Sequence, residues 1–259
     1  QGAICAESGH INAHETGALE SVGHKCLTLP TSNGKITAKQ VDTLIQEHYS
    51  DTSSEHTVQP GIVYISFPTE SGTLYSKQEL TELYTVCQKY NIPLFIDGAR
   101  LGYGLVAKKN DVTFEDIANL CDVFYIGGTK VGALFGECIV ILNDLYKKDF
   151  RYSIKQHGGM LAKGRMLGIQ FEELFKDNRY LTISKHAIDM AAILTEGFQS
   201  KGYRFYFPAE TNQLFPIFEN TKLEELSKEF AFTPWAKIDE THTAVRFVTS
   251  FATKRENVE

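Results

Sequence analysis

Two segments of this 259-residue chain place an acid and an amine in the same kind of setting. Phe95-Ile-Asp-Gly-Ala-Arg100-Leu carries Asp97, and Tyr125-Ile-Gly-Gly-Thr-Lys130 carries Lys130. Each ends a short apolar run that reads as a β-strand, and the two residues lie 33 positions apart, about one βαβ crossover. In an open α/β sheet, ligands bind outside the carboxyl ends of the strands, so both side chains are expected on one crevice. A carboxylate and a lysine there suit pyridoxal phosphate, because its aldehyde needs an amine and its ring nitrogen needs an anion to keep its proton. The protonated ring can then accept electrons from a substrate Cα. Taken singly, Asp97 reads as a strand-end cap and Lys130 as a surface cation; their pairing at one sheet edge is what points to a site.

Positioning such a pair requires a largely parallel sheet, and the pattern from Gln1 to about Asn143 supplies one. Short apolar runs alternate with amphipathic stretches, as in successive βαβ units. The expected strands are Ala3–Glu7, Cys26–Leu29, Gly61–Phe67, Pro93–Ile96, Val123–Ile126 and Cys138–Leu142. The expected helices are Thr37–His48, Lys77–Tyr90, Thr113–Leu120 and a short one at His14–Ser21. Ser76 with Glu79 and Thr113 with Asp116 have capping-box spacing. Beyond residue 150 the texture becomes α+β: a long helical region at about 160–200, strands at Tyr203–Phe207, Gln213–Phe218 and Ala244–Ser250, and a helix at 221–229. The expectation is a large cofactor-binding domain over 1–150 and a smaller domain over 151–259.

Composition narrows the partners. Lys plus Arg (26) against Asp plus Glu (32) gives a net charge of −6 with no long run of one sign, which argues against nucleic acid. No apolar run approaches the roughly 20 residues that span a bilayer, and residues 1–20 lack a secretory signal, so a soluble cytoplasmic protein is expected. The cysteines, Cys5, Cys26, Cys87, Cys121 and Cys138, are odd in number and lack CxxC spacing, reading as buried thiols with no metal site. A dinucleotide enzyme is disfavoured because no Gly-x-Gly-x-x-Gly follows the first strand.

With these segments in view, the chain resembles the low-specificity threonine aldolases and related β-eliminating lyases along nearly all its length. Their Asp-Gly-Ala-Arg motif is matched by Asp97-Gly98-Ala99-Arg100, and their Ser/Thr-Lys by Thr129-Lys130. The resemblance implies an aspartate aminotransferase-like fold, pyridoxal phosphate held as a Schiff base on Lys130, and a homodimer or homotetramer with shared active sites. It also implies that His10, in Gly9-His-Ile-Asn-Ala-His-Glu15, stacks on the cofactor ring, with His14 a competitor one helical turn on. Arg246, in Thr243-Ala-Val-Arg-Phe-Val, corresponds to the arginine that grips the substrate carboxylate, a task suited to a planar guanidinium fork. Arg100 would make a second carboxylate or cofactor contact and Thr129 a cofactor contact. Lys155, before Gln156-His157-Gly158-Gly159, resembles a basic loop that reaches the cofactor phosphate across a subunit interface, and Thr211-Asn212-Gln-Leu-Phe215 resembles a strand of the small domain.

Two departures shape the functional expectation. Where relatives carry a histidine near the substrate hydroxyl, this chain has Glu70 in Ser66-Phe-Pro-Thr-Glu70-Ser-Gly72, a carboxylate able to take a proton as general base. The family's upstream phosphate loop has no counterpart before Gln1, so the native product is expected to be longer, with both ends of this sequence inside the folded unit. The favoured reaction is aldol cleavage of a β-hydroxy amino acid, threonine or allo-threonine, to glycine and an aldehyde. The alternatives are another Cα chemistry such as β-elimination, or a catalytically decayed binding protein of the same fold.

Overall fold

The structure, a computed structural model, describes residues 1–259. Strands β1 (Gly2–Ala6), β2 (Lys25–Leu29), β3 (Pro60–Ser66), β4 (Leu94–Asp97), β5 (Val123–Ile126) and β6 (Cys138–Ile141) form one sheet in the order β2-β1-β3-β4-β5-β6. The first five are parallel, and β6 returns antiparallel at the edge. Between them run α1 (His10–Ala13), α2 (Ala18–Ser21), α3 (Ala38–Ser50), α4 (Lys77–Tyr90), α5 (Leu101–Leu105) and α6 (Phe114–Asn119). Strand order reverses direction between β1 and β3, and at such a switch the outgoing connections part and leave a crevice beyond the carboxyl ends.

The connections also explain why these helices form. Each of α3, α4 and α6 opens with a reciprocal capping box: Thr37 with Gln40, Ser76 with Glu79, and Thr113 with Asp116. From these starts, Val41 and Ile45 of α3 and Leu80, Leu83 and Cys87 of α4 reach the sheet at Val63, Ile65, Leu94 and Ile96, and all nine are essentially fully buried. Burying one such aliphatic side chain contributes roughly 1.5–3 kcal/mol. No helix is long and apolar enough to cross a membrane.

The rest of the chain contributes α7 (Phe150–Gln156), α8 (Arg165–Phe175) and the long α9 (Arg179–Ser200). Leu174, Tyr180, Ala187 and Ile188 of these helices join the core of the first sheet. A second, smaller sheet follows, made of β7 (Gln213–Leu214), β8 (Ile217–Glu219), β9 (Thr233–Lys237) and β10 (His242–Val248), with α10 (Asn220–Leu226) between β8 and β9. Its link to the first sheet is the loop after β3. There Leu74 N–H donates to Glu210 Oε2 at 3.2 Å, Thr211 Oγ1 donates to the Gly72 carbonyl at 3.0 Å, and Gln213 Nε2 donates to the Thr69 and Glu70 carbonyls at 3.4 Å each.

The mostly parallel sheet, its flanking helices and the smaller second sheet are as expected from sequence, with local differences. Tyr203–Phe207 forms only a single bridge, Phe205 to Pro216, and Gln213–Phe218 splits into β7 and β8 because Phe215-Pro216 interrupts the ladder. β9 escaped notice because Thr-Pro-Trp-Ala-Lys contains a proline and shows no clean alternation. Of the expected His14–Ser21 helix only Ala18–Ser21 forms: α1 ends at Ala13, before this range, and Thr16 and Gly17 take positive φ of 55° and 74°.

The ends of β4 and β5 approach so closely that side chains are excluded between them. A Cβ on Gly98 would fall 2.0 Å from the Tyr125 carbonyl oxygen, and one on Gly127 would fall 2.2 Å from that of Ala99. Gly98→Ala is therefore expected to lower stability by about 2–3 kcal/mol in urea denaturation, since backbone rather than a flexible side chain must yield. Gly168→Ala, inside α8 with nothing within 4 Å, should instead raise it by about 0.5–1 kcal/mol.

Candidate active site

Asp97 is the last residue of β4 and is only 7% exposed. Its Oδ1 accepts the Ala99 N–H at 2.9 Å, and its Oδ2 accepts the Tyr64 hydroxyl from β3 at 2.7 Å. One strand over, the Gly127-Gly128 turn leads into a single helical turn, Thr129–Val131, in which Val131 is fully buried and Lys130 points out. Three groups fix this turn. Tyr180 OH donates to the Gly127 carbonyl at 3.0 Å, Tyr103 OH donates to the Lys130 carbonyl, and Glu137 accepts the Gly128 N–H at 2.6 Å. Burial pushes the Tyr103 phenol up to about 12, so it stays a donor at neutral pH.

Glu70 lies at the β1/β3 switch, and its Oε1 accepts both the His10 N–H at 3.0 Å and the Ser66 hydroxyl at 2.6 Å. The His10 ring is held in turn by Glu15, Nδ1 to Oε1 at 2.5 Å, with the exposed His14 ring 5.3 Å away. His10, Glu70, Asp97, Arg100, Tyr125 and Lys130 all line one cleft with about 400 Å³ of space including its open mouth. A larger apolar cavity, about 1330 Å³ counted in the same way, lies at the other end of the strands, beside Ala3, Pro93 and Val123. It holds none of these groups, and the convergence of titratable side chains marks the smaller cleft as the site.

Two arginines approach each other here, and neither forms an ion pair. Arg246 extends from β10, its guanidinium 5.6 Å from the Trp235 ring centre, and its buried Nε has no hydrogen-bond partner. Arg100 makes no ion pair, and burial, followed by the nearby charge of Arg246, pulls its guanidinium below the usual range. Like charges do not gather in a partly buried place for stability, and the neighbouring charges of Glu70 and Asp97 offset this repulsion without forming an ion pair.

Of the residues singled out from sequence, Asp97, Lys130, His10, Glu70 and Arg100 converge on the cleft, and Arg246 approaches it from the second sheet. Thr129 turns its hydroxyl to Glu137 Oε1 at 3.0 Å, away from the lining residues. Lys155 sits exposed on α7 and does not reach the cleft of its own chain. Sequence reading missed Tyr64, Tyr125, Glu15 as a ring partner, and Glu137. The one available signal was register: Tyr64 pairs with Phe95, two residues before Asp97.

The donors and acceptors present fit pyridoxal phosphate. Asp97 has four lone-pair positions with two donors on them from Tyr64 and Ala99, leaving room for a ring N–H. Lys130 Nζ forms no ion pair or hydrogen bond and stands at the cleft beside it. Arg246, close enough for its charge to act on Arg100 of the cleft, has a buried Nε without a hydrogen-bond partner, a donor that a carboxylate would fit.

Residues 1–221 match the family model of the beta-eliminating lyases. Among curated proteins, the low specificity L-threonine aldolase of a Pseudomonas species is 32% identical over 229 residues, and that of Pseudomonas aeruginosa 30% identical over 226. In each case the alignment covers 86% of this chain and 64% of the relative, so the chain spans about two thirds of their length. A solved structure of Leishmania major threonine aldolase is 44% identical and superposes with a TM-score of 0.95, covering 99% of this chain and 74% of that one. A structure of a putative L-allo-threonine aldolase from Listeria monocytogenes, 19% identical with a TM-score of 0.69, shares the fold.

The unpaired arginines carry a thermodynamic signature. Arg246→Met, which keeps length and removes charge, should leave the ligand-free protein as stable or up to about 1 kcal/mol more stable in urea denaturation. A small amino acid at saturating concentration should raise the melting temperature of the unsubstituted chain and leave that of the variant unmoved.

Proposed function

Because this chain belongs to the beta-eliminating lyase family, we propose that it cleaves a β-hydroxy amino acid, threonine or allo-threonine, to glycine and an aldehyde with pyridoxal phosphate carried on Lys130. The observation that carries this reading is the convergence of Asp97, Lys130 and Arg100 on one cleft, with Arg246 near enough for its charge to act on Arg100. When bound, the cofactor supplies an electron sink for the pair of electrons released at the substrate Cα.

The chain's own groups then divide the work. Asp97 keeps the proton on the ring nitrogen, and the Lys130 amine holds the aldehyde end. Arg246, with Arg100 beside it, takes the substrate carboxylate, which fixes the direction in which Cβ and its hydroxyl project. Glu70 would take the proton from that hydroxyl oxygen as the Cα–Cβ bond opens and the aldehyde leaves, and a proton delivered to Cα would complete glycine; the Glu70 Oε1 is steered by the Ser66 hydroxyl and the His10 amide. Glu15 fixes the His10 ring against the cofactor face. Water is kept out by a second copy of the chain in a homodimer or homotetramer, and the Lys155 loop of each copy reaches the cofactor phosphate of the other. The setting proposed for this chemistry is the cytoplasm.

The deciding experiment is borohydride reduction of the purified protein loaded with pyridoxal phosphate, followed by peptide mapping and product analysis with threonine. Label on Lys130, with glycine and acetaldehyde released, is the expected result; ammonia and a 2-oxo acid would turn the reading to β-elimination, and label on another lysine would overturn it. Lys130→Ala should lose both the visible band and turnover. Arg246→Ala should raise KM for the amino acid roughly 10- to 150-fold with little change in cofactor absorbance, as for a lost hydrogen bond to a charged group. For the assembly, mixing Lys130→Ala with Lys155→Ala chains should restore some activity through hybrid dimers, and mixtures that exchange subunits yet stay inactive would reject the shared site.

A further inference from the structure

We propose that Tyr64 is a positioning residue for Asp97, a phenol that donates to its carboxylate and sets how a proton is shared between that carboxylate and the cofactor ring nitrogen, with Tyr125 lining the same cleft beside it. The inference rests on the reading of Asp97 as the ring-nitrogen partner.

Tyr64, Phe95 and Tyr125 come from three adjacent strands, β3, β4 and β5, and line up across the same side of the sheet. Tyr64 and Phe95 are direct register partners whose rings stack at 4.9 Å and 9°, and Phe95 meets Tyr125 at 6.2 Å and 53°. This packing aims the Tyr64 hydroxyl along the strand to Asp97 Oδ2 at 2.7 Å. Burial, then the charge of Asp97, pushes both phenols well above their ordinary value, so neither can serve as an anion and each stays a donor. Oδ1 is already engaged by the Ala99 N–H, which leaves Oδ2 as the oxygen whose basicity a side chain controls.

The consequence follows from hydrogen bonding to a charged acceptor. A phenol on Oδ2 draws off negative charge and makes the carboxylate a weaker base. A proton shared with the ring nitrogen is then left on the ring, where it is needed for electron withdrawal. Losing one such bond shifts a proton equilibrium by about tenfold or more. A tyrosine that merely packs would do none of this, and phenylalanine would replace it without effect on the ring.

The test is nitrogen NMR of the holoprotein loaded with pyridoxal phosphate labelled with ¹⁵N in the ring. Tyr64→Phe keeps the stacked ring and should move the resonance toward the unprotonated position. Tyr125→Phe, which removes a phenol without a hydrogen bond to Asp97, is the control and should leave it near its place. A resonance unchanged in Tyr64→Phe, or moved as far by Tyr125→Phe, would overturn the proposal. If Tyr64→Phe fails to fold in a thermal melt, 3-fluorotyrosine at position 64, a stronger donor, decides: a shift toward the protonated position supports the proposal and no shift rejects it. Asp97→Asn separates the two readings: a resonance that stays protonated there, or an unsubstituted chain that binds no cofactor, removes the role of Asp97 and this inference with it, whereas a shift in Asp97→Asn without one in the Tyr64 variants removes the phenol alone.

Discussion

The site depends on two stretches of bare backbone. Gly127 N–H donates to the Gly98 carbonyl at 2.9 Å, and neither strand end can carry a Cβ at that crossing. Asp97 lies immediately before one of these glycines and Lys130 three residues after the other, so the closeness of the carboxylate and the amine is set by main chain. A contact of this kind has no rotamers to lose and little slack, and the surrounding core of β3, β4, α3 and α4 holds it from below. Tyr180, Tyr103 and Glu137 then restrain the Gly127–Lys130 turn from its other sides.

Around that frame the charges are arranged in two different ways. Carboxylates are satisfied: Asp97 takes a phenol and an amide, Glu70 takes an amide and a hydroxyl, and Glu15 holds a histidine ring. Guanidiniums are left open, with Arg246 Nε orphaned and Arg100 without an ion pair. The asymmetry assigns direction to the cleft. Its acidic side is held by donors of the protein itself, and its cationic side is left without an ion pair. Such unpaired charge detracts from stability, which is the usual condition of a site organised for binding.

How much of this could be read from sequence differs by the kind of interaction. Asp97, Lys130 and their shared edge were legible because strand-end position and residue type suffice to specify them. The Ser76 and Thr113 helix starts were legible because a capping box is a local pattern of four residues, whereas the Thr37–Gln40 box was overlooked by reading Thr37 inside the helix. Glu137 and Tyr64 were not legible: each acts through a contact set by turn geometry or cross-strand register, and in sequence they read as a loop acid and an ordinary strand aromatic. The second sheet was read least well because its strands are short, and prolines at 216 and 234 disturb the alternation that reveals a strand.

The loop from Thr69 to Leu74 belongs to the first sheet by chain order, yet Glu210, Thr211 and Gln213 of the second sheet's approach segment grip its backbone. Glu70 is part of that loop, and Arg246 stands on the central strand of the same second sheet. Glu70 is thereby tied in two directions, through its carboxylate to Ser66 and His10 and through its carbonyl to Gln213. A strain applied to the second sheet would reach Glu70 and Arg246 together, so the loop serves as a rivet common to two plates: what loosens it at one face is felt at the other.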